Sequence, residues 1–154
     1  MQVVEYEGFN EMKEGADAPI VDPELFPKWI LFENNDLLVL DKPGWLVCHP
    51  SKNGPWSSLV GAAKEYLSVD SIRLVSRLDR ETSGVVILAK HKKAASIWQK
   101  GVEHRKVKRN YLTILRGELT EEKKVETFIG NDPESEVFVK QRVTQESRRS
   151  QRAL

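Results

Sequence analysis

Cysteine, histidine and long apolar runs are scarce in this chain, and each scarcity excludes a class of protein. A single cysteine, Cys48, rules out a disulfide framework, and three scattered histidines offer no zinc-ligand pattern. No apolar run approaches the roughly 20 residues that a membrane helix needs. The N-terminus also lacks the basic start and apolar stretch of a secretory signal. We therefore expect a globular, single-domain cytoplasmic protein of 154 residues, with no bound metal and no membrane contact.

Charge is distributed unevenly although the net charge is only +1. Residues 1–41 contain ten acidic and two basic residues, whereas residues 42–154 contain 22 basic and 13 acidic residues. A single charged run usually lies on the solvent-exposed face of a helix. The imbalance between these two segments instead favours a basic surface that binds a polyanion, with the acidic segment in another part of the protein. Three prolines interrupt residues 1–28. We interpret those residues as an acidic N-terminal extension that wraps the domain or is partly disordered.

Hydrophobic patterning after residue 28 predicts short strands and two helices. Ordered structure is expected to begin at residues 29–32. The predicted strands are residues 36–41, 85–89, 111–117, 125–129 and 136–141. The predicted helices are residues 56–67, capped by Ser57 or Ser58, and residues 92–103. We expect Trp56 to belong to the core.

Residues 75–90 read VSRLDRETSGVVILAK and set a polar cluster directly against an apolar run. The run from Val85 to Ala89 has the length and β-branched content of a buried strand, so the residues before it form a loop that the strand holds. Asp79 lies between Arg77 and Arg80, and a carboxylate in such a setting is how an enzyme positions a nucleophile or base. From these residues alone, an aspartate that steadies a turn is the simpler interpretation.

Basic residues are concentrated again in and after the second predicted helix. From Lys90 to Arg109 there are eight lysines and arginines against one acid, Glu103. Cations suit the C-terminal dipole of a helix, but more of them are present here than capping requires. Contact with nucleic-acid phosphates is the better explanation. The cations at the end of the helix and beyond it are Lys100, Arg105, Lys106, Lys108 and Arg109.

Cys48 and His49 are adjacent, which suggests a thiol nucleophile with its base. Neighbouring residues in an extended segment point to opposite faces, so these two cannot act on each other directly. We interpret Cys48 as a small core residue and His49 as a residue that supports a loop or faces substrate.

The motif at residues 75–90 resembles the signature of the RluA-type RNA pseudouridine synthases. That signature reads Arg-Leu-Asp, two variable positions, Thr-Ser-Gly, an apolar strand and Ala-Lys, and relatives usually carry His where Ser76 stands. Residues 42–50 resemble a second family segment, Lys-Pro, glycine, apolar residues and His-Pro, with the glycine one position early. The residues before Tyr111 resemble a third, in which Arg109 replaces the usual Lys and so alters donor geometry.

The resemblance implies an α+β fold with a mixed, largely antiparallel β-sheet flanked by helices. It makes residues 29–154 the N-terminal portion of the catalytic domain. The implied function is isomerisation of a specific uridine in RNA, with ribosomal RNA favoured over transfer RNA, by a catalytic aspartate and without a cofactor. By resemblance, Asp79 is that aspartate and Arg77 favours its ionised form and fills the space left by the flipped nucleotide. Tyr111 stacks on the flipped uracil.

The remaining residues of the implied site bind substrate or shape the loop. Thr82, Ser83 and Gly84 are expected to form the turn, with Gly84 permitting close packing beneath it. The residues expected to bind the RNA substrate are His49, Arg80, Thr82, Lys100, Arg105, Lys108 and Arg109.

In this family the catalytic domain runs further than residue 154, through an Arg-rich stretch that nothing here matches. That stretch supplies a basic partner for the catalytic aspartate. We therefore expect a truncated chain whose uncovered sheet edges and apolar faces favour self-association. Two alternatives remain open. One is a catalytically incompetent RNA-binding remnant of the family, and the other is an unrelated hydrolase using Cys48 and His49, which the spacing supports poorly.

Overall fold

A computed structural model describes residues 19–49, 53–136 and 140–145, together with the backbone of residues 151–153. The chain divides into two compact units, one ending at Arg109 and the other beginning at Asn110, whereas its length alone predicts one domain. No helix among the described residues has the length and apolar character needed to cross a bilayer.

The first unit is built on a four-stranded sheet. Its strands, in chain order, are β1 (Ile30–Glu33), β2 (Leu37–Lys42), β3 (Arg73–Leu74) and β4 (Gly84–Ala89). Their order in the sheet is β1-β2-β4-β3, and every neighbouring pair is antiparallel. The central pair β2 and β4 is in register over its full length, from Leu37 opposite Ala89 to Lys42 opposite Gly84. The α+β fold class with an antiparallel sheet is confirmed.

Alternation along the central strands gives this sheet two buried faces. On one face, Leu38 and Leu40 of β2 join the core cluster that contains helix α1 (Leu59–Leu67). On the other face, Leu37 joins a cluster that contains helix α2 (Lys92–Glu103). The two predicted helices are therefore present, one on each face of the sheet.

Local sequence sets the start of each helix. The Ser58 side chain accepts a hydrogen bond of 3.0 Å from the Gly61 N–H, which caps α1 and selects Ser58 over Ser57 as its N-cap. Pro55–Ser57 forms a separate 3₁₀ turn, so α1 begins later than its apolar pattern predicts. In α2 the His91 ring takes the capping position and accepts from the Ala94 N–H.

The core also takes in part of the acidic N-terminal segment. Val21 and Phe26 are fully buried, and the Val21 N–H donates to the Trp56 oxygen at 2.7 Å. The Phe26 ring lies 6.4 Å from the half-buried Trp56 ring and 6.0 Å from the Trp29 ring, in edge-to-face contacts. Trp56 is therefore a core residue, as predicted. Residues 1–18 of the proposed extension lie outside the described residues.

The second unit contains a three-stranded antiparallel sheet. Its strands are β5 (Thr127–Asn131), β6 (Gln141–Thr144) and β7 (Gln151–Ala153), in the order β6-β5-β7. β5 overlaps the strand predicted at residues 125–129. Of the strand predicted at 136–141, residues 137–139 lie outside the described residues, and β6 begins where that prediction ends.

The prediction of a strand at residues 111–117 is wrong. These residues are described and form no strand. The side chains of Leu112 and Ile114 are 102% and 98% exposed, so neither reaches a core. An alternating apolar pattern becomes a strand only where another strand pairs with it and one face is buried.

Candidate active site

Asp79 lies in the loop that joins β3 to β4, beside the sheet end where Gly84 faces Lys42. The Val75 N–H donates to the Ile87 oxygen at 3.0 Å and anchors the start of the loop. The Thr82 N–H donates to the Asp79 oxygen at 3.2 Å, which folds the tip into a turn. The side chain of Asp79 is exposed. The motif therefore forms a solvent-facing loop held by a buried strand, as its sequence predicts.

Beneath this loop lies a buried cation. The Lys42 side chain is 0% exposed, and its ammonium donates three hydrogen bonds to backbone oxygens. The acceptors are Pro43 at 2.9 Å, Leu46 at 2.7 Å and Arg80 at 3.0 Å. One side chain thus satisfies all three ammonium protons and ties the 43–46 loop to the loop that carries Asp79.

Electrostatics around Lys42 reflect that burial. Loss of solvent lowers the pKa of Lys42, and electrostatic interactions with Cys48, Glu81 and Asp79 oppose this shift in that order. Asp79 and Glu81 therefore act as partial counter-charges to a lysine that lies below them. Lys42 begins the family-like segment at residues 42–50 but was not among the predicted site residues. Alternation along β2 was the available signal, since Lys42 falls on the same inward face as Leu38 and Leu40.

Two further contacts fix the loop against residues 43–49. The Cys48 thiol donates to the Leu78 oxygen at 3.3 Å. A Cβ added to Gly44 would lie 3.0 Å from the Glu81 oxygen, so only glycine fits this close approach easily. Cys48 is buried, as predicted, whereas His49 is exposed. Their opposite environments leave the hydrolase alternative without geometric support.

The charged side chains of the loop do not bracket Asp79 as expected. Arg80 instead donates its Nε–H to Glu81 Oε1 at 3.0 Å, and this hydrogen bond lowers the pKa of Glu81. In the part of the chain that the structure describes, Asp79 forms no ion pair with Arg77 or Arg80. Asp79 and Arg77 both remain open to solvent.

The prediction that Gly84 permits close packing beneath the loop is wrong. A Cβ added there would meet no heavy atom within 4 Å. Its φ of +121° is the reason for glycine at this position, because L side chains rarely adopt that backbone conformation. Gly84 therefore sets the direction in which the chain enters β4. Thr82 is half-buried within the same turn.

The cations after α2 surround a helix end that contains an unusual residue. The Lys106 N–H donates to the Gly101 oxygen at 2.8 Å and the Arg105 N–H to the Val102 oxygen at 3.0 Å, which is a Schellman motif. Arg105 occupies its left-handed position, with φ of +55°, where glycine is usual. The predicted RNA-binding residues Lys100, Arg105, Lys108 and Arg109 are all exposed here.

The structure brings together some of the predicted site residues and not others. His49 and Lys100, distant in sequence, line the same open groove of the first unit. Tyr111 belongs to the second unit, where it is 62% exposed in a segment without a strand. Among the described residues, no group of three or more His, Cys, Asp or Glu side chains is arranged to hold a metal ion.

Comparison with known proteins identifies a family for this chain. The model of the RNA pseudouridylate synthase family matches residues 36–153. The uncharacterized RNA pseudouridine synthase YhcT of Bacillus subtilis is 33% identical over 80% of this chain and 42% of its own length. Ribosomal large subunit pseudouridine synthase D of Nitrosomonas europaea is 36% identical over 71% of this chain and 33% of its own length.

A solved structure is also similar. The human protein RNA pseudouridylate synthase domain containing 1 matches with a TM-score of 0.53 at 21% identity, over 86% of this chain and 52% of that chain. This likeness shows a common fold. The chain spans less than half the length of the two curated relatives described above. The match over residues 36–153 includes strands β2 to β4, both helices and the Asp79 loop, and the chain therefore belongs to the RNA pseudouridylate synthase family, of the RluA type.

Proposed function

We propose that this chain carries the catalytic aspartate of an RNA pseudouridine synthase, an isomerase that converts a specific uridine to pseudouridine, with ribosomal RNA favoured over transfer RNA as its substrate. The observation that best supports this proposal is that two buried side chains hold the Asp79 loop in place. Lys42 and Cys48 together hold the loop through the backbone oxygens of Arg80 and Leu78. A side chain on a fixed backbone can act at a defined atom of a substrate, whereas one on a mobile loop cannot.

The reaction breaks one bond and forms another without net loss of atoms. The C1′–N1 bond of uridine breaks, the uracil turns, and a C1′–C5 bond forms while the C5 proton is lost and N1 gains a proton. Asp79 supplies the carboxylate that attacks the sugar or removes a proton from it as the base departs. Its exposed position allows a nucleotide that has left its stack to approach.

The other predicted site residues would hold the flipped nucleotide. Arg77 is exposed beside Asp79 and has a guanidinium plane suited to stacking in the space that the nucleotide leaves. Tyr111 would stack on the uracil and take part in proton transfer. Thr82 and Arg80 would contact the substrate near the loop, and His49 with the cations after α2 would contact phosphates.

An RNA-binding protein without catalysis is the second candidate, and one observation favours it. Catalysis requires a carboxylate in a site that excludes water, yet Asp79 is exposed in the described structure. Exposed apolar side chains on β1 and β4, Phe32 and Val85, support the further proposal that the chain associates with itself. We propose a cytoplasmic location, where such RNA is available.

Tritium release separates the two candidates. The purified chain is incubated with ribosomal RNA carrying tritium at C5 of uridine, because formation of the C1′–C5 bond expels that atom into water. Release with repeated turnover is the expected result. Tight RNA binding without release would leave the non-catalytic candidate and contradict the enzymatic one.

A further inference from the structure

A second basic feature of the first unit lies away from the tip of the Asp79 loop. An open groove of about 820 Å³ is bounded by α1, β3 and one face of α2. Four cations line it: Lys64 on α1, Arg73 on β3, and Lys92 and Lys100 on α2. Of the described residues in its lining, Glu103 at one end of α2 is the single carboxylate.

Among the described residues, no carboxylate neutralises these four cations. In the described residues, none of them forms an ion pair with a carboxylate, whereas Lys90, just before α2, pairs with Glu33 at 2.6 Å. A cluster of unpaired like charges is unfavourable unless an anion occupies the space between them. The charge of the groove therefore indicates an anionic ligand.

The shape of the groove suits an extended chain. Lys92, Ser96, Gln99 and Lys100 recur at the spacing of one helical face, so a polar stripe follows α2 along the groove. Lys92 and Lys100 are separated by about 12 Å along the helix axis, far enough to contact different phosphates. Gln99 donates its side-chain amide to the Leu74 oxygen at 2.8 Å, which fixes α2 against the edge strand β3.

The groove leads toward the candidate active site. His49 lies in its lining, and the preceding Cys48 donates its thiol to the oxygen of Leu78, the residue before Asp79. On the other side, Leu74 lies five residues before Asp79, a span of at most about 18 Å. A strand lying in the groove would therefore pass close to the Asp79 loop.

We propose that this groove binds the phosphodiester backbone of single-stranded RNA next to the target uridine. The identification of RNA as the ligand rests on the proposed function. Its contacts are to phosphates, so the groove sets position and affinity without reading bases. Lys64, Arg73 and Lys92 thereby join the RNA-contacting residues, while Glu103 opposes binding at one end.

The test compares two double variants that remove the same charge. Lys92→Gln with Lys100→Gln alters the groove, and Lys28→Gln with Lys93→Gln alters exposed lysines outside its lining. The probe is a single-stranded oligouridylate of about ten nucleotides, with affinity measured as a function of salt. We expect the groove variant to lower the slope of log affinity against log salt by about 1.4, at about 0.7 per phosphate contact. The control should keep the wild-type slope.

A third variant tests the groove in the opposite direction. Glu103→Gln removes the one carboxylate of the lining and should tighten binding, a gain that a purely structural role for Glu103 does not produce. Equal slopes for the two double variants, or equal competition by polyglutamate, would overturn the proposal. Preferred binding of a blunt RNA duplex would overturn the assignment to single strands.

The binding assay requires no turnover, so it separates this inference from the proposed function. Groove-dependent binding without tritium release would retain the groove and remove the catalytic assignment. Tritium release with an unchanged KM in the Lys92→Gln and Lys100→Gln variant would retain catalysis and remove the groove.

Discussion

The ammonium of Lys42 lies 3.0 Å from the backbone oxygen of Arg80, one residue after Asp79. Lys42 itself is at the end of a central strand and fully buried. The position of the candidate catalytic carboxylate is therefore linked to the rigid core of the first unit through one side chain. Burying the charge of Lys42 carries a desolvation penalty. The three hydrogen-bond acceptors and the nearby acidic groups must offset that penalty.

Replacing Lys42 by Met should separate activity from stability. The change leaves three carbonyl oxygens without their donor but also removes a buried charge, and these effects oppose each other. We expect the free energy of unfolding to change by no more than about 3 kcal/mol, while kcat falls by at least about 100-fold because the Asp79 loop shifts. Chemical denaturation and tritium release measure the two quantities. Lys28→Met, at an exposed lysine, is the control, and a wild-type kcat in Lys42→Met would contradict the anchoring role.

The lowered pKa of Lys42 predicts a pH dependence of stability. The unfolded chain has the ordinary lysine pKa near 10.5, so between the lowered value and this one the unfolded state binds more protons than the folded state. Stability contributed by this group must then rise as pH rises through the folded pKa. Subtracting the unfolding free energy of Lys42→Met from that of the wild type isolates the effect. A difference that falls as the solution becomes alkaline would contradict the lowered pKa.

Arg105 and Ser68 provide a matched pair of left-handed residues. Each follows a helix, with φ of +55° and +52° respectively, at the position where glycine is favoured. Arg105→Gly and Ser68→Gly should each stabilise the chain by about 1 kcal/mol, since the left-handed conformation is unfavourable for other residues. If Arg105 contacts RNA, only Arg105→Gly weakens RNA binding. Thermal unfolding and the salt-dependent binding assay report the two effects, and unchanged affinity in Arg105→Gly would exclude that contact.

His91 caps α2 in one specific tautomer. Its Nδ1 accepts from the Ala94 N–H at 3.2 Å, so the proton is on Nε2, which donates to Asp36 at 2.7 Å. His91→Ala should destabilise the chain by about 1 kcal/mol relative to His91→Asn. Both variants lose the Asp36 contact, but asparagine retains a capping oxygen. Equal stability of the two variants would show that the cap contributes nothing.

The main elements of the first unit could be predicted because local and global signals agree there. The apolar residues of β4 have the run length of a buried strand, and those of α2 recur at the spacing of a helix. The turn residues around both elements mark where each one begins and ends. The predicted strand at residues 111–117 failed because pairing is a non-local property. Its alternating side chains carry no information about whether a partner strand exists.

In the candidate site, too, the local features could be predicted from the sequence and the non-local contacts could not. The position of Asp79 in a loop before a buried strand followed from residues 75–90 alone. The support beneath it did not, because Lys42, Gly44 and Cys48 contact the loop across about 30 to 40 positions of sequence. The pairing of Arg80 with Glu81 rather than Asp79 was also missed, since adjacency in sequence does not specify side-chain direction.

The most direct test of the catalytic role of Asp79 is tritium release by Asp79→Asn, compared with Asp70→Asn. Both carboxylates are exposed, but Asp70 lies before β3 and outside the Asp79 loop. The amide is nearly isosteric, so folding and RNA binding should match the wild type in both variants. We expect Asp79→Asn to release no tritium while Asp70→Asn retains full activity. Wild-type release by Asp79→Asn would contradict the assignment of Asp79 as the catalytic residue.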